Sequence, residues 1–209
     1  MIDFKLELVG TEPLLMHSSR LADPTDPAAK ELKRVTSKRS KTDDDHEEIA
    51  RLEFLGGLYF EEKVGPYIPG DNVWRSLYDA AKKFKKGPRV KEGVFIETSV
   101  NPLQYTDASG RPGPRAESSL WADDGFRLMS SVKVMSARTM RCRAKFDRWS
   151  VTVQGTLDPN VLDLAELKEI ADTAGRLVGV GDWRPRYGRF TATLLAAAPG
   201  AAGMTAEAA

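Results

Sequence analysis

The apolar residues of this chain repeat with a period that switches between two and 3.6, and the order of those switches constrains the fold more than any single motif. Ile2, Phe4, Leu6 and Leu8 alternate with Asp3, Lys5 and Glu7, which predicts a half-buried strand over 2–9. Val73, Leu77, Ala80, Ala81 and Phe84 recur at helical spacing, which predicts a helix opened by Asp71 or Asn72 and running to about Lys86. Residues 94–105 read as extended, with a break at Pro102. Met140, Cys142, Ala144 and Phe146 alternate with Arg141, Arg143, Lys145 and Asp147; the parity then passes to Trp149, Val151 and Val153, so a turn or bulge is expected near Asp147 and Arg148. Asp163 with Glu166 makes a capping-box signature for a helix whose core face carries Leu164, Leu167, Ile170, Ala171, Ala174 and Leu177 and which ends at Gly179. Phe190–Leu195 closes the series as a strand.

Strand, helix, strands, helix, strand is the order of a ferredoxin-like or RRM-like βαββαβ core, an α+β fold. Two insertions are expected in it, one after the first strand (about 10–60) and one between the middle strands (106–138). The first is polar and turn-rich, with Pro13, Pro24 and Pro27, and a helix capped near Asp45 runs through about Leu55. Residues 106–126, with Gly110, Pro112, Gly113 and Pro114, read as an exposed loop. With 41% hydrophobic residues the chain can bury one core, so a single domain over 1–196 with a disordered tail over 197–209 is expected. A lone cysteine, Cys142, forms no internal disulfide, which fits a reducing, cytoplasmic setting. One cysteine and two histidines are too few for a Cys/His zinc site, and no metal or cofactor is expected. The opening Met1-Ile2-Asp3-Phe4-Lys5 has no apolar signal core, and no apolar run approaches the length of a membrane span.

Formal net charge is only +1, so a nucleic-acid surface has to come from local clustering. Between Arg127 and Trp149 stand seven basic residues against Asp147 alone, a local +6, and Arg141, Arg143 and Lys145 share one face of a strand. Such a row repels itself, and a polyanion lying across it would relieve the repulsion. The stretch from Gly179 to Phe190 gathers Gly181, Trp183, Arg184, Arg186, Tyr187, Gly188 and Arg189. Arginine offers a planar donor fork to phosphate, aromatic rings stack on unpaired bases, and glycine lets a ligand backbone come close. Arg75 and Lys82 extend this set from the first core helix. A further basic run covers Lys30, Lys33, Arg34, Lys38, Arg39 and Lys41, followed by Asp43, Asp44 and Asp45.

Tyr67-Ile68-Pro69-Gly70-Asp71-Asn72-Val73-Trp74-Arg75 resembles the hydrophobic-Pro-Gly start of the first helix in RAMP-superfamily proteins, which include the Cas7-type backbone subunits of CRISPR effector complexes. Gly179–Phe190 resembles that superfamily's C-terminal glycine-rich loop, and Thr11–His17 the exit from its first strand. Asp71 and Asn72 stand where a small hydroxyl pair is usual, and Trp74 and Arg75 where lysine and glycine are common. The resemblance implies an RRM-like domain that binds single-stranded guide RNA and assembles head-to-tail along it, with other effector subunits as partners, in antiviral defence or in a phage or mobile element. The sequence has no Walker loop, Gly-x-Ser-x-Gly or His-Glu-x-x-His, and a non-catalytic role is expected. Sequence alone does not separate RNA from single-stranded DNA. Some relatives carry a metal-assisted RNA-cleaving aspartate after the first strand, where Asp23 and Asp26 stand here; a metal-dependent endoribonuclease is therefore one alternative reading, and an architectural or single-stranded-DNA-binding protein of a phage or mobile element is another.

Overall fold

The computed structural model describes residues 1–134 and 137–196, and the expected C-terminal tail lies outside the described residues. The fold is α+β. Its main sheet runs β11 (Phe190–Ala196), β1 (Ile2–Gly10), β10 (Arg148–Leu157), β5 (Val94–Ile96), with every neighbouring pair antiparallel. β7 (Gln104–Thr106) pairs with the other end of β10. The period-two pattern explains the register: Leu6 faces Val153 and Leu8 faces Val151, so apolar residues of neighbouring strands meet on one side. That side is covered by α3 (Gly70–Lys82) and α6 (Leu164–Leu177), which pack against each other. Val73, Leu77, Ala80 and Ala81 of α3 and Leu167, Ile170, Ala171 and Ala174 of α6 are fully buried. Full burial of each valine or leucine contributes about 1.5–3 kcal/mol.

A second sheet consists of β2 (Leu14–Met16), β9 (Ala137–Phe146) and β8 (Arg127–Val134). A third consists of β3 (Phe60–Glu61), β4 (Gly65–Pro69) and β6 (Val100–Pro102). The parity change at Asp147 now has a cause. β9 belongs to the second sheet and β10 to the main one, so the chain turns a corner between sheets there instead of folding back as a hairpin. The chain makes the same passage from β1 to β2 across Thr11–Pro13. Trp149 holds the two crossings together: its ring lies where a Cβ on Gly10 would stand, and its Nε1–H donates to the Glu12 carbonyl at 2.9 Å.

Several expectations need correction. The polar stretch after β1 contains α1 (Pro27–Thr36), capped by Asp26 with proline in its first turn. The next helix, α2 (Asp43–Gly57), is capped by Thr42, with Asp45 closing the capping box from the third position. α3 begins at Gly70 without a side-chain cap and stops at Lys82, so Phe84 lies beyond it and is 36% exposed. α4 (Gly87–Gly93) follows, where no helix is expected from the sequence. The stretch 106–126 is not wholly exposed: α5 (Glu117–Ala122) and a short 3-10 turn bury Leu120 and Phe126. On β9, Met140 is half exposed and does not join Cys142, Ala144 and Phe146 in the core. The capping box at Asp163 and Glu166 forms as expected. No helix among the described residues is long and apolar enough to cross a membrane.

Candidate nucleic-acid interface

The glycine-rich loop from Gly179 to Arg189 closes over the seam between the two sheets. Its backbone is tied to β2 and its approach: the Gly188 N–H donates to the Pro13 carbonyl at 2.7 Å and the Asp182 N–H to the Leu15 carbonyl at 2.8 Å. The loop also pairs with itself, Val180 N–H to Gly188 carbonyl at 2.9 Å. Gly179, Gly181 and Gly188 all have positive φ, at 77°, 79° and 70°. A Cβ at Gly181 would strike the Leu15 carbonyl, and one at Gly188 the Val180 carbonyl. These glycines let the loop lie close to its own protein. The Gly188 amide is used internally, so the sequence-based role of admitting a ligand strand is not needed to explain it.

The turn at the loop's tip sends its side chains in two directions. Arg184, Pro185 and Arg186 are exposed, while Trp183 and Tyr187 are half-buried with ring centroids 6.0 Å apart. Trp183 adopts a left-handed φ of 52°. The Arg186 guanidinium lies 5.5 Å from the Tyr187 ring centre, a cation–π distance, and has no acidic partner within 4 Å among the described residues. Arg189 points the other way, with Nη2 2.6 Å from Glu12 Oε1 and a buried Nε that has no hydrogen-bond partner.

α3 meets the loop at its base. The buried Ser76 hydroxyl donates to the Gly179 carbonyl at 2.8 Å. One turn further along α3, Asp79 accepts from Arg75 Nε at 3.0 Å and from Lys82 Nζ at 2.9 Å, and Arg184 Nη2 approaches it to 3.9 Å. Burial works to raise the Asp79 carboxyl, but the hydrogen bonds and charges of Lys82 and Arg75 outweigh it and hold the group below its ordinary value. Beside this node runs an open cleft of about 560 Å³, bordered by Asp79, Lys83, Gly181, Asp182, Trp183 and Arg184. Arg75, Lys82, Gly181, Trp183, Arg184, Arg186 and Tyr187 are thus brought to one edge of the molecule.

The row on β9 is different, and the inference drawn from its self-repulsion is corrected. Arg141 pairs with Glu53 of α2, Arg143 with Asp182 at 2.9 Å, and Lys145 with Asp147 at 3.2 Å. Arg127 pairs with Asp124, and Arg148 donates to the Asp107 carbonyl. Glu53 and Asp182 come from distant parts of the chain, so a local count of charge could not find them. Arg143 is itself buried and sits 5.9 Å from the Trp183 ring centre, supporting the loop from beneath. None of the three lies on the main sheet, whose uncovered face carries Asp3, Lys5, Glu7, Thr152, Gln154 and Thr193.

Glu53 is the residue that sequence reasoning missed. Its carboxylate is 3% exposed; it accepts the Cys142 N–H at 2.9 Å and holds Arg141, filling the edge of β9 beyond the reach of β2. A glutamate among Ala50, Leu52 and Phe54 on the core side of α2 is the signal that could have found it. Burial raises the neighbouring Cys142 thiol to about 11 and, with the Arg143 charge, lowers His17.

Asp23 and Asp26 occupy turn and cap positions. Asp23 accepts the Thr25 hydroxyl and N–H at 2.7 and 2.8 Å, which holds it below the ordinary carboxylate value. Asp26 caps α1 through the Ala28 N–H at 2.7 Å and pairs with Arg20. In the basic run, Arg34 pairs with Glu31 and Lys38 with Asp45. Among the described residues no group of three His, Cys, Asp or Glu side chains is arranged to hold a metal ion. No protein-family model matches the chain, and no curated protein matches it.

Proposed function

We propose that this chain is a non-catalytic protein that binds single-stranded nucleic acid, RNA or DNA, along the edge formed by α3 and the glycine-rich loop. The observation that carries the reading is the imbalance at Asp79. One carboxylate serves Arg75, Lys82 and Arg184, Lys83 borders the same cleft, and the exposed Arg186 follows two residues on in the loop. A phosphodiester chain supplies the missing negative charge, and the Trp183 and Tyr187 rings beside it give bases a surface to stack on.

The fold belongs to the same proposal. The order β11-β1-β10-β5 with two covering helices is what a ferredoxin-like, RRM-like βαββαβ core produces, and it supports the resemblance to the RAMP superfamily. The route of the strand differs from that of a sheet-face binder, because on the uncovered sheet face Lys5 is paired with Glu7 and Arg148, at the end of β10, is held by the Asp107 carbonyl, and the β9 cations are already paired. Assembly head-to-tail along the strand comes with the resemblance to Cas7-type subunits.

The test is equilibrium binding of labelled oligo(U) and oligo(dT) at low salt, comparing the native chain with the Arg184→Ala, Arg186→Ala double variant. Loss of two phosphate contacts should weaken binding by about tenfold or more and flatten its salt dependence. Equal affinity of the two proteins for both oligonucleotides would reject the interface.

A further inference from the structure

Asp79 has a position that the binding reading alone does not require. It projects from α3 between Arg75 and Lys82, and both of its oxygens are taken: Oδ1 by Lys82 and Oδ2 by Arg75. Arg184 leans toward it but stops at 3.9 Å, outside hydrogen-bond range, and its other nitrogen reaches the Gly179 carbonyl only at 3.4 Å. The second acid at the cleft does not compete for these cations, because Asp182 is committed to Arg143 and to the Trp183 N–H. Arg184 Nη2 is therefore turned toward an anion position that the Asp79 carboxylate fills only in part.

Resting on the nucleic-acid reading, we propose that Asp79 is an internal stand-in for a phosphate. It holds Arg75, Lys82 and Arg184 together in the free protein and is displaced from them when a phosphodiester enters. Bound, the phosphate bridges Arg184 and Lys82 in the place Asp79 held between them, and Asp79 turns toward solvent. The carboxylate then opposes binding twice: it competes for the cations, and it repels the incoming anion. Weak or non-phosphate anions do not displace it, which makes Asp79 a filter for polyanions that engage several of these cations together.

The experiment compares native chain, Asp79→Asn, Asp71→Asn and the Arg184→Ala, Arg186→Ala variant against labelled oligo(U) over a salt series. Asn at position 79 keeps an oxygen for one cation and removes the charge, so affinity should rise at least about fivefold, the effect of one unit charge about 4 Å away when bulk water screens it fully. The salt slope should steepen by up to about 0.7, since one more cation is free to take a phosphate. Asp71 lies exposed on the same helix outside the node, and its variant should bind as the native chain does. An equal gain from Asp71→Asn would reduce the effect to net charge and overturn the proposal. So would unchanged or weaker binding by Asp79→Asn while the double arginine variant still loses affinity; that outcome leaves the binding reading standing. Absence of binding by both native chain and Asp79→Asn overturns both.

Discussion

Arg143 Nε lies 2.9 Å from Asp182 Oδ2, and this pair joins the strand at the centre of the second sheet to the glycine-rich loop. Both partners are largely shielded, with side chains 9% and 23% exposed. Trp183 lies over the guanidinium, and the Asp182 N–H is anchored to Leu15. The arginine thus serves the loop's position more than its charge.

Arg143→Ala should therefore act on stability first. It leaves Asp182 without its cation and opens a hole beneath Trp183, at a cost of about 1–3 kcal/mol. For a chain of this size that corresponds to a fall in melting temperature of roughly 2–12 °C. Thermal unfolding followed by circular dichroism measures it. A melting temperature equal to that of the native chain would mean the pair does not hold the loop.

Glu53 should be the most sensitive charged residue in the chain. Glu53→Ala removes the acceptor of the Cys142 N–H and the partner of Arg141 at one stroke, inside the core side of α2. A loss of about 3–5 kcal/mol is expected, against about 1 kcal/mol for Lys145→Ala, whose pair with Asp147 is far more exposed. Urea unfolding of the two variants separates them, and a Glu53→Ala midpoint no lower than that of Lys145→Ala would contradict the role given to the buried carboxylate.

Much of the fold could be read from periodicity because the core-facing residues of β1, α3 and α6 are local in sequence and spaced by the geometry of their own element. Leu6, Leu77 and Ile170 each fall where the pattern puts them, in the core. What the pattern could not carry was pairing at a distance. Arg141 and Glu53, Arg143 and Asp182, and Arg189 and Glu12 are each far apart along the chain, so a row of cations read as unbalanced is balanced from elsewhere. The capping of α1 by Asp26 was hidden for a different reason: an Asp-Pro step is equally good turn chemistry and helix-start chemistry, and only the apolar contact of Val35 decides between them.

The glycines of the loop and those of the surface should respond differently to alanine. Gly188 has φ of 70° and its Cβ would meet the Val180 carbonyl; Gly110 has φ of 88° and nothing within 4 Å. Gly110→Ala should cost only the left-handed backbone penalty, about 1–2 kcal/mol. Gly188→Ala adds a backbone clash that cannot move without breaking the hydrogen bond to Pro13, so it should cost at least about twice as much. Chemical denaturation of both variants gives the comparison, and equal losses would show that the loop is not packed as described.

Acid should unfasten α6 from α4 before it affects the core. Hydrogen bonds from Arg89, then Lys86, then the Asp163 N–H lower the Glu166 carboxyl to about 2. Because the folded-state value is depressed, the stabilisation is fully present above the unfolded value near 4.5 and is lost as pH falls toward about 2. Glu166→Gln should thus lower stability at neutral pH and make much less difference near pH 2, where the native carboxylate is itself becoming protonated. A difference between the two proteins that stays constant across that window would remove Glu166 from the acid response.

Arg186 and Arg189 stand three residues apart and should behave as opposites. Arg186 is exposed, lies 5.5 Å from the centre of the Tyr187 ring and has no acidic partner among the described residues. Its replacement by alanine should leave stability within about 0.5 kcal/mol and flatten the salt dependence of oligonucleotide binding by about 0.7 in slope, the signature of one lost phosphate contact. Arg189 is half-buried against Glu12 beside the Thr11 N–H that its own carbonyl receives, so Arg189→Ala should loosen the β1 exit and lower the melting temperature while leaving the salt slope as it was. Reversal of these two patterns would mean that the loop presents its other side to the ligand, with Arg186 serving the fold and Arg189 the phosphate.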